Sequence, residues 1–346
     1  MTVRVFACLL LAPLLAHGDA PGLLTYRDAD GKAKPVATAA DWAKRRAQIL
    51  ANMQEVMGPL PADSKKAPLD PKVIEESDEG TYVRQKVTIA VEAGDRLPLY
   101  VLVPKQRAGQ VPGVVCLHPT NRELGKEVVT GGGTKADRHY AVHLAERGYV
   151  ALAPDYVNSG DYKVDPYKAG YASATMKGIW NHMRCVDYLQ TRPEVRPDRI
   201  GAIGHSLGGH NSIFLGVFDE RVKCVVSNCG FCNFPTYMKG DLTGWSHDGY
   251  MPRIRTVYDR NPAKMPWDFP EAVGALAPRA FLASAPVNDH NFDVGGVKDC
   301  LAAAAPVYEL LGAKERLRGV YPAGGHDFPD DARKAAYEWL DRWLEK

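Results

Sequence analysis

The chain has 346 residues, 45 % of them hydrophobic and 24 % charged, with a formal net charge of +2 at pH 7. That balance belongs to an ordinary globular protein with a substantial core, long enough for one large α/β domain or two smaller ones. Near-neutral charge without a Lys/Arg-rich run gives no basis for binding nucleic acid or an anionic membrane surface, and no apolar run approaches the roughly 20 residues of a membrane span.

In chain order, residues 1–18 read as an export signal. Arg4 supplies the positive start, residues 5–15 form an apolar run broken only by Pro13, and Ala16-His17-Gly18 offers small residues for cleavage. Cys8 lies at the start of the apolar run rather than after it, which does not suit a lipid-modified cysteine. Residues 19–80 read as an extension with one helix over 38–57. Thr38 and Asp41 cap it, Trp42, Ile49, Leu50, Met53, Val56 and Met57 form its apolar face, and Pro59 and Pro61 end it.

Residues 81–346 read as the main domain. Strands over 82–91 and 97–103 form a hairpin through Ala93-Gly94-Asp95-Arg96. Strands then alternate with helices. The strands fall at 111–118, 149–153, 199–204, 222–228, 279–285 and 317–321, and the helices at 137–147, 173–191, 207–217, 295–311 and 330–344. This alternation demands an α/β fold: a mostly parallel sheet with helices on both faces and the antiparallel hairpin at one end. The interval 231–276 breaks the pattern. It is long, interrupted by Pro and Gly, and carries Phe234, Tyr237, Trp245, Tyr250, Tyr258, Trp267 and Phe269. It is expected either as a lid over the sheet's C-terminal edge or as a connector with its own small core.

Gly204-His205-Ser206-Leu207-Gly208 carries the chemistry. It follows a short apolar strand and opens a helix, the layout of a nucleophile elbow. The glycines suit a turn where strand and helix approach too closely for side chains, and the Leu207 N–H is placed to stabilise an oxyanion. A serine nucleophile needs a base, and the base needs an acid to hold its tautomer. His326, in the Gly-Gly-His-Asp loop after the last strand, is the expected base. Asp289, near the tip of the strand over 279–285, is the preferred acid. Asp293 stands before the next helix and reads also as its N-cap, and Asp327 adjoins His326 and is expected to point elsewhere. The second oxyanion donor is expected from Thr120 N–H, since Pro119 has none, with His118 bracing that turn.

Other chemistries find little support. Gly201, Gly204 and Gly208 do not follow the dinucleotide-binding spacing, and no phosphate-cradling Gly-Lys-Ser/Thr loop occurs. His139, His143, His182 and His247 show no metal-ligand spacing, and a single Cys-x-x-Cys does not make a zinc site. Cys229 and Cys232 are close enough to pair in an exported chain, whereas Cys116 and Cys224 lie in apolar strands as small hydrophobes.

With these residues in place, the chain resembles the α/β-hydrolase superfamily, and within it the dienelactone hydrolase-related and acetyl xylan esterase-like serine esterases. His118-Pro119-Thr120, residues 204–208, Asp289 and Gly325-His326-Asp327 carry the resemblance, which covers residues 82–346. It also extends to the catalytic domain of prolyl oligopeptidase-type peptidases. Two departures matter. Dienelactone hydrolases proper use cysteine at the elbow, where this chain has Ser206; glucuronoyl esterases carry arginine after the nucleophile, where it has Leu207. The resemblance implies an exported hydrolase of carboxylic esters, acetylated carbohydrate among them, working without a cofactor or metal. The stretch before Tyr82 is too short for a propeller that would gate peptides, so a peptidase is the second expectation. A non-catalytic binding module on the same fold is the third.

Overall fold

The computed structural model describes residues 22–345; the expected export signal lies outside them. A small antiparallel pair, β1 (Thr25–Arg27) and β2 (Ala33–Pro35), precedes α1 (Ala39–Met57). The Thr38 hydroxyl accepts the Asp41 N–H at 3.1 Å, satisfying one orphan donor of the first turn. Trp42, Ile49, Met53, Val56 and Met57 are buried along one stripe, as the helical spacing predicts.

The rest of the chain builds a nine-stranded sheet. Its strands are β3 (Lys72–Asp78), β4 (Tyr82–Glu92), β5 (Asp95–Pro104), β6 (Val111–Leu117), β7 (Val150–Pro154), β8 (Val195–His205), β9 (Val222–Asn228), β10 (Ala280–Ser284) and β11 (Leu317–Val320). Their order across the sheet is β11-β10-β9-β8-β6-β7-β5-β4-β3. Strands β11 to β7 in that order run parallel, and β5, β4 and β3 continue antiparallel. Between the strands lie α2 (Tyr140–Glu146), α3 (Ala174–Thr191), α4 (Leu207–Phe218), α5 (Arg253–Thr256), α6 (Phe269–Gly274), α7 (Val294–Leu310) and α8 (Asp330–Leu344). Val115 and Leu117 of β6 join the core under α1, α3, α4 and α7, whereas Val114 and Cys116 join the core under α2 and α8. Both sheet faces are therefore covered, and this is the α/β-hydrolase architecture. Among the described residues no helix is long and apolar enough to cross a membrane.

Three differences from the expectations have physical causes. Strand β3 lies in the stretch read as extension and adds an edge to the sheet. Its Lys-Val-Ile-Glu-Glu-Ser-Asp run buries almost nothing, with Ile74 61 % exposed, so no hydrophobic alternation marks it. Six cysteines, Cys116, Cys185, Cys224, Cys229, Cys232 and Cys300, are free and buried, so the Cys229–Cys232 pair is not formed. The aromatics of 231–276 pack into the main core rather than into one of their own: Trp267 and Phe269 meet Phe214 of α4 at 5.9 and 6.0 Å, and Phe231 meets Phe281 of β10 at 6.0 Å. Phe231, Phe234, Trp245, Trp267 and Phe269 are buried, with ring centroids 5.3 Å apart for Phe234–Trp267 and for Trp245–Phe269. Only His247, Asp248, Gly249 and Tyr250 of this interval reach the cleft described below.

One buried ion pair shapes that cleft. Lys126 Nζ lies 2.7 Å from Asp155 and 2.8 Å from Asp161, pinning the segment after β7 to the turn after β6. The Lys126 and Asp155 side chains are 1 % and 0 % exposed. Lys126→Met would leave Asp155 buried without its cation and is expected to cost about 3–5 kcal/mol of stability in chemical denaturation. A midpoint unchanged from wild type would contradict that account.

Candidate active site

Ser206 sits between the end of β8 and the start of α4 with φ 56° and ψ −118°, a region that non-glycine residues rarely adopt. The two flanking glycines are dictated by contact. A Cβ on Gly204 would lie 2.1 Å from the Gly208 carbonyl oxygen, and one on Gly208 would lie 1.8 Å from the Leu117 carbonyl oxygen. The strained serine is held by its own N–H, which donates to the Asn228 carbonyl at 2.9 Å. Its hydroxyl is thereby presented at the C-terminal edge of the sheet, where open α/β sheets place their chemistry.

The loop between β11 and α8 brings His326 to this hydroxyl. His326 Nε2 lies 2.9 Å from Ser206 Oγ, and Nδ1 lies 2.9 and 3.0 Å from the two oxygens of Asp289. Asp289 follows β10 and also accepts the Asn291 N–H at 2.8 Å. Burial works to raise its pKa, but the hydrogen bonds from His326, Asn291 N–H and Cys229 outweigh it and hold the carboxyl below its ordinary value. The tautomer that satisfies an ionised Asp289 carries its proton on Nδ1 and leaves Nε2 to accept from Ser206. The other carboxylates are engaged elsewhere. Asp293 caps α7, accepting the Gly296 N–H at 2.9 Å, and Asp327 turns away to Lys135 at 2.8 Å.

The two residues expected to supply oxyanion donors line one cleft. Leu207 N–H is the first of α4 and has no acceptor one turn back. Thr120 follows β6 in a turn that His118 braces. Its Nδ1 bonds the Pro119 carbonyl at 2.7 Å, and its Nε2 accepts the Tyr156 N–H at 2.9 Å. Burial holds His118 below its ordinary pKa, consistent with a neutral bracing ring. Thr120 and Leu207 border a cleft of about 530 Å³ whose opposite wall carries Tyr156, Tyr167, His247 and Tyr250. The Thr120 hydroxyl meets the Tyr250 hydroxyl at 3.1 Å, and the His247 and Tyr250 rings lie 4.3 Å apart.

Sequence reasoning missed Asn228, the last residue of β9. Its amide nitrogen donates to the Asp327 carbonyl at 3.0 Å and contacts His205 Nδ1 at 2.7 Å, and its oxygen accepts from Ser284 Oγ at 2.6 Å. The His205 ring in turn lies 4.9 Å from His326. One fully buried residue thus fixes the serine through its carbonyl and the histidine loop through its side chain. Asn228→Ala is expected to lower kcat roughly tenfold to a hundredfold with KM little changed, because the Ser206–His326 distance loosens. A rise in KM at constant kcat would show that Asn228 acts on binding instead.

The comparisons with known proteins agree with this architecture. YtaP of Bacillus subtilis (strain 168), a provisionally named hydrolase, is 25 % identical over 315 residues, spanning 87 % of this chain and 99 % of its own. The 4-O-methyl-glucuronoyl methylesterase 1 of Wolfiporia cocos (strain MD-104) is 25 % identical over 191 residues, 50 % of this chain and 47 % of that protein. Among solved structures, a glucuronoyl esterase from Solibacter usitatus superimposes with a TM-score of 0.75 at 21 % identity, covering 94 % of this chain and 98 % of that one. The model of the prolyl oligopeptidase family matches residues 135–346, which include Ser206, Asp289 and His326. The chain belongs to the prolyl oligopeptidase family, within the α/β-hydrolase superfamily.

Proposed function

We propose that this chain is an exported serine esterase that cleaves carboxylic esters of carbohydrates, acetyl esters in particular, through an acyl-enzyme. The hydrogen-bonded line from Ser206 through His326 to Asp289 carries the reading. Ser206 Oγ attacks the ester carbonyl while His326 Nε2 takes its proton. Asp289 steadies the imidazolium, and the Leu207 and Thr120 amides hold the oxyanion. His326 then returns the proton to the leaving alcohol, and water releases the acyl group by the reverse sequence. The chemistry needs no cofactor.

The aromatic lining of the cleft supports a carbohydrate ester. Tyr167, His247 and Tyr250 offer faces on which a sugar can lie, and Asp165 and Asp248 of the lining pair with Lys168 and Arg255 at 3.9 and 2.6 Å. Burial holds the His247 ring below its ordinary pKa and so favours its neutral form. Leu207 supplies no guanidinium beside the oxyanion, so acetyl esters are chosen over glucuronoyl esters. The relatives named for carbohydrate ester cleavage support the broader class.

The test is a panel of p-nitrophenyl acetate, acetylated xylo-oligosaccharide, a glucuronate methyl ester and a dipeptide amide. Turnover is expected with the two acetates first. Preferential release of amine would replace the reading with a peptidase, and preference for the glucuronate ester would overturn the acetyl assignment.

A further inference from the structure

The mechanism above uses one nitrogen of His326 to accept the serine proton and the other to bind Asp289. A third group lies against the same pair. Cys229, immediately after β9, has φ 47° and is fixed by its own N–H, which donates to the Ser284 carbonyl at 2.9 Å. Its Sγ lies 3.3 Å from the Asp327 carbonyl and also hydrogen-bonds the Asp289 carboxyl. Ligand atoms of Cys229, Asp289 and His326 all lie within 4.8 Å of one another, and among the described residues this is the one such group of histidine, cysteine and carboxylate.

We propose that Cys229 Sγ, an Asp289 oxygen and His326 Nδ1 form an inhibitory site for a thiophilic divalent cation such as Zn²⁺. The donor set suits such an ion: one thiolate, one imidazole nitrogen and one carboxylate, with a fourth position for water. Zinc bonds of about 2.0–2.3 Å place ligand atoms roughly 3.3–3.7 Å apart, so closing the site needs movement of about 1 Å. The thiolate and carboxylate together neutralise the ion. The cation reaches the site at His326, whose side chain keeps 14 % of its surface exposed.

Cys229 loses its thiol proton to solvent as the sulfur–metal bond forms. The imidazole releases its Nδ1 proton to solvent as the nitrogen–metal bond forms and takes one from solvent on Nε2, so its own charge is unchanged. The Nε2–H now points at Ser206 Oγ as a donor. It can no longer accept the serine proton, and nucleophilic attack stops. The inhibition rests on reading Ser206, His326 and Asp289 as catalytic; the cation binding does not.

The experiment titrates the full chain with Co²⁺ and follows the thiolate-to-cobalt charge-transfer absorbance, then repeats p-nitrophenyl acetate hydrolysis with Zn²⁺ and with EDTA. The wild type is expected to show the band at one equivalent, to lose activity with Zn²⁺ and to recover it with EDTA. Cys229→Ala and Cys229→Ser lose a hydrogen bond to Asp289 and are expected to hydrolyse the ester more slowly, to lack the band and, each measured against its own metal-free rate, to need roughly tenfold more Zn²⁺ or beyond for inhibition. Absence of the band in the wild type, its persistence in both variants, or equal Zn²⁺ sensitivity in all three would overturn the site. A wild type inactive before any metal is added would instead overturn the esterase reading, and the band would then decide the cation site.

Discussion

Ser206→Ala is expected to lower kcat for a simple acetate ester by roughly 10⁴-fold or more while the thermal melting curve stays where it was. The size follows from the role. Without a nucleophile only binding and the oxyanion donors remain, and in serine hydrolases these retain a small fraction of the acceleration. Stability is spared because the Ser206 side chain is only partly buried and makes one hydrogen bond, to His326, which solvent can replace. The strained backbone at φ 56° is held by Asn228 and the surrounding glycine contacts rather than by the hydroxyl, so alanine inherits the same elbow. A variant that loses activity together with its fold would not support the assignment; one that keeps wild-type turnover would remove Ser206 from the mechanism.

Asp289→Asn carries the second large effect, a fall in kcat of roughly 10⁴-fold. An amide in that place turns a nitrogen toward His326 Nδ1, which then must accept, and the ring proton moves to Nε2, facing Ser206. The wrong tautomer cannot take the serine proton. Two control substitutions separate this from a general loss of negative charge. Asp293→Asn keeps an oxygen able to cap α7, and Asp327→Asn weakens the contacts to Lys135 and Arg138. Both are expected to change kcat by less than about tenfold. A large effect at Asp293 or Asp327 with a small one at Asp289 would relocate the acid.

The parts of the site that were legible in the sequence are those set by local geometry. Gly204 and Gly208 stand where a Cβ would strike the backbone of Gly208 and of Leu117, a steric demand that fixes glycine at both positions and is hence visible as a motif. Thr120 could be placed because it follows a strand whose hydrophobic run is unmistakable, and His326 because its Gly-Gly-His-Asp loop separates the last strand from the last helix, so both loops fall at the sheet's C-terminal edge. The choice of Asp289 over Asp293 depended on a few residues of position along one loop, and the structure gives each a different partner.

What stayed hidden depends on register across the sheet. Nothing near Asn228 announces its bonds to Asp327, His205 and Ser284, because those partners come from strand ends and loops distant in sequence. Cys229 read as one half of a Cys-x-x-Cys pair with Cys232, yet its thiol lies with the histidine and its acid. His247 gave no sign of lining the cleft, since only the packing of the 231–276 interval turns it toward Tyr250. Strand β3 escaped for the opposite reason: an exposed edge leaves no burial pattern to read.

The central claim is that Ser206, activated by His326, is the nucleophile, and the direct measurement is covalent capture. The full chain is treated with a fluorophosphonate, digested and mapped by mass spectrometry. One adduct per chain is expected, on the peptide carrying Ser206, formed quickly by wild type, strongly slowed by Asp289→Asn and absent from Ser206→Ala. No adduct in a folded wild-type chain, or an adduct on another residue that persists in Ser206→Ala, would contradict it.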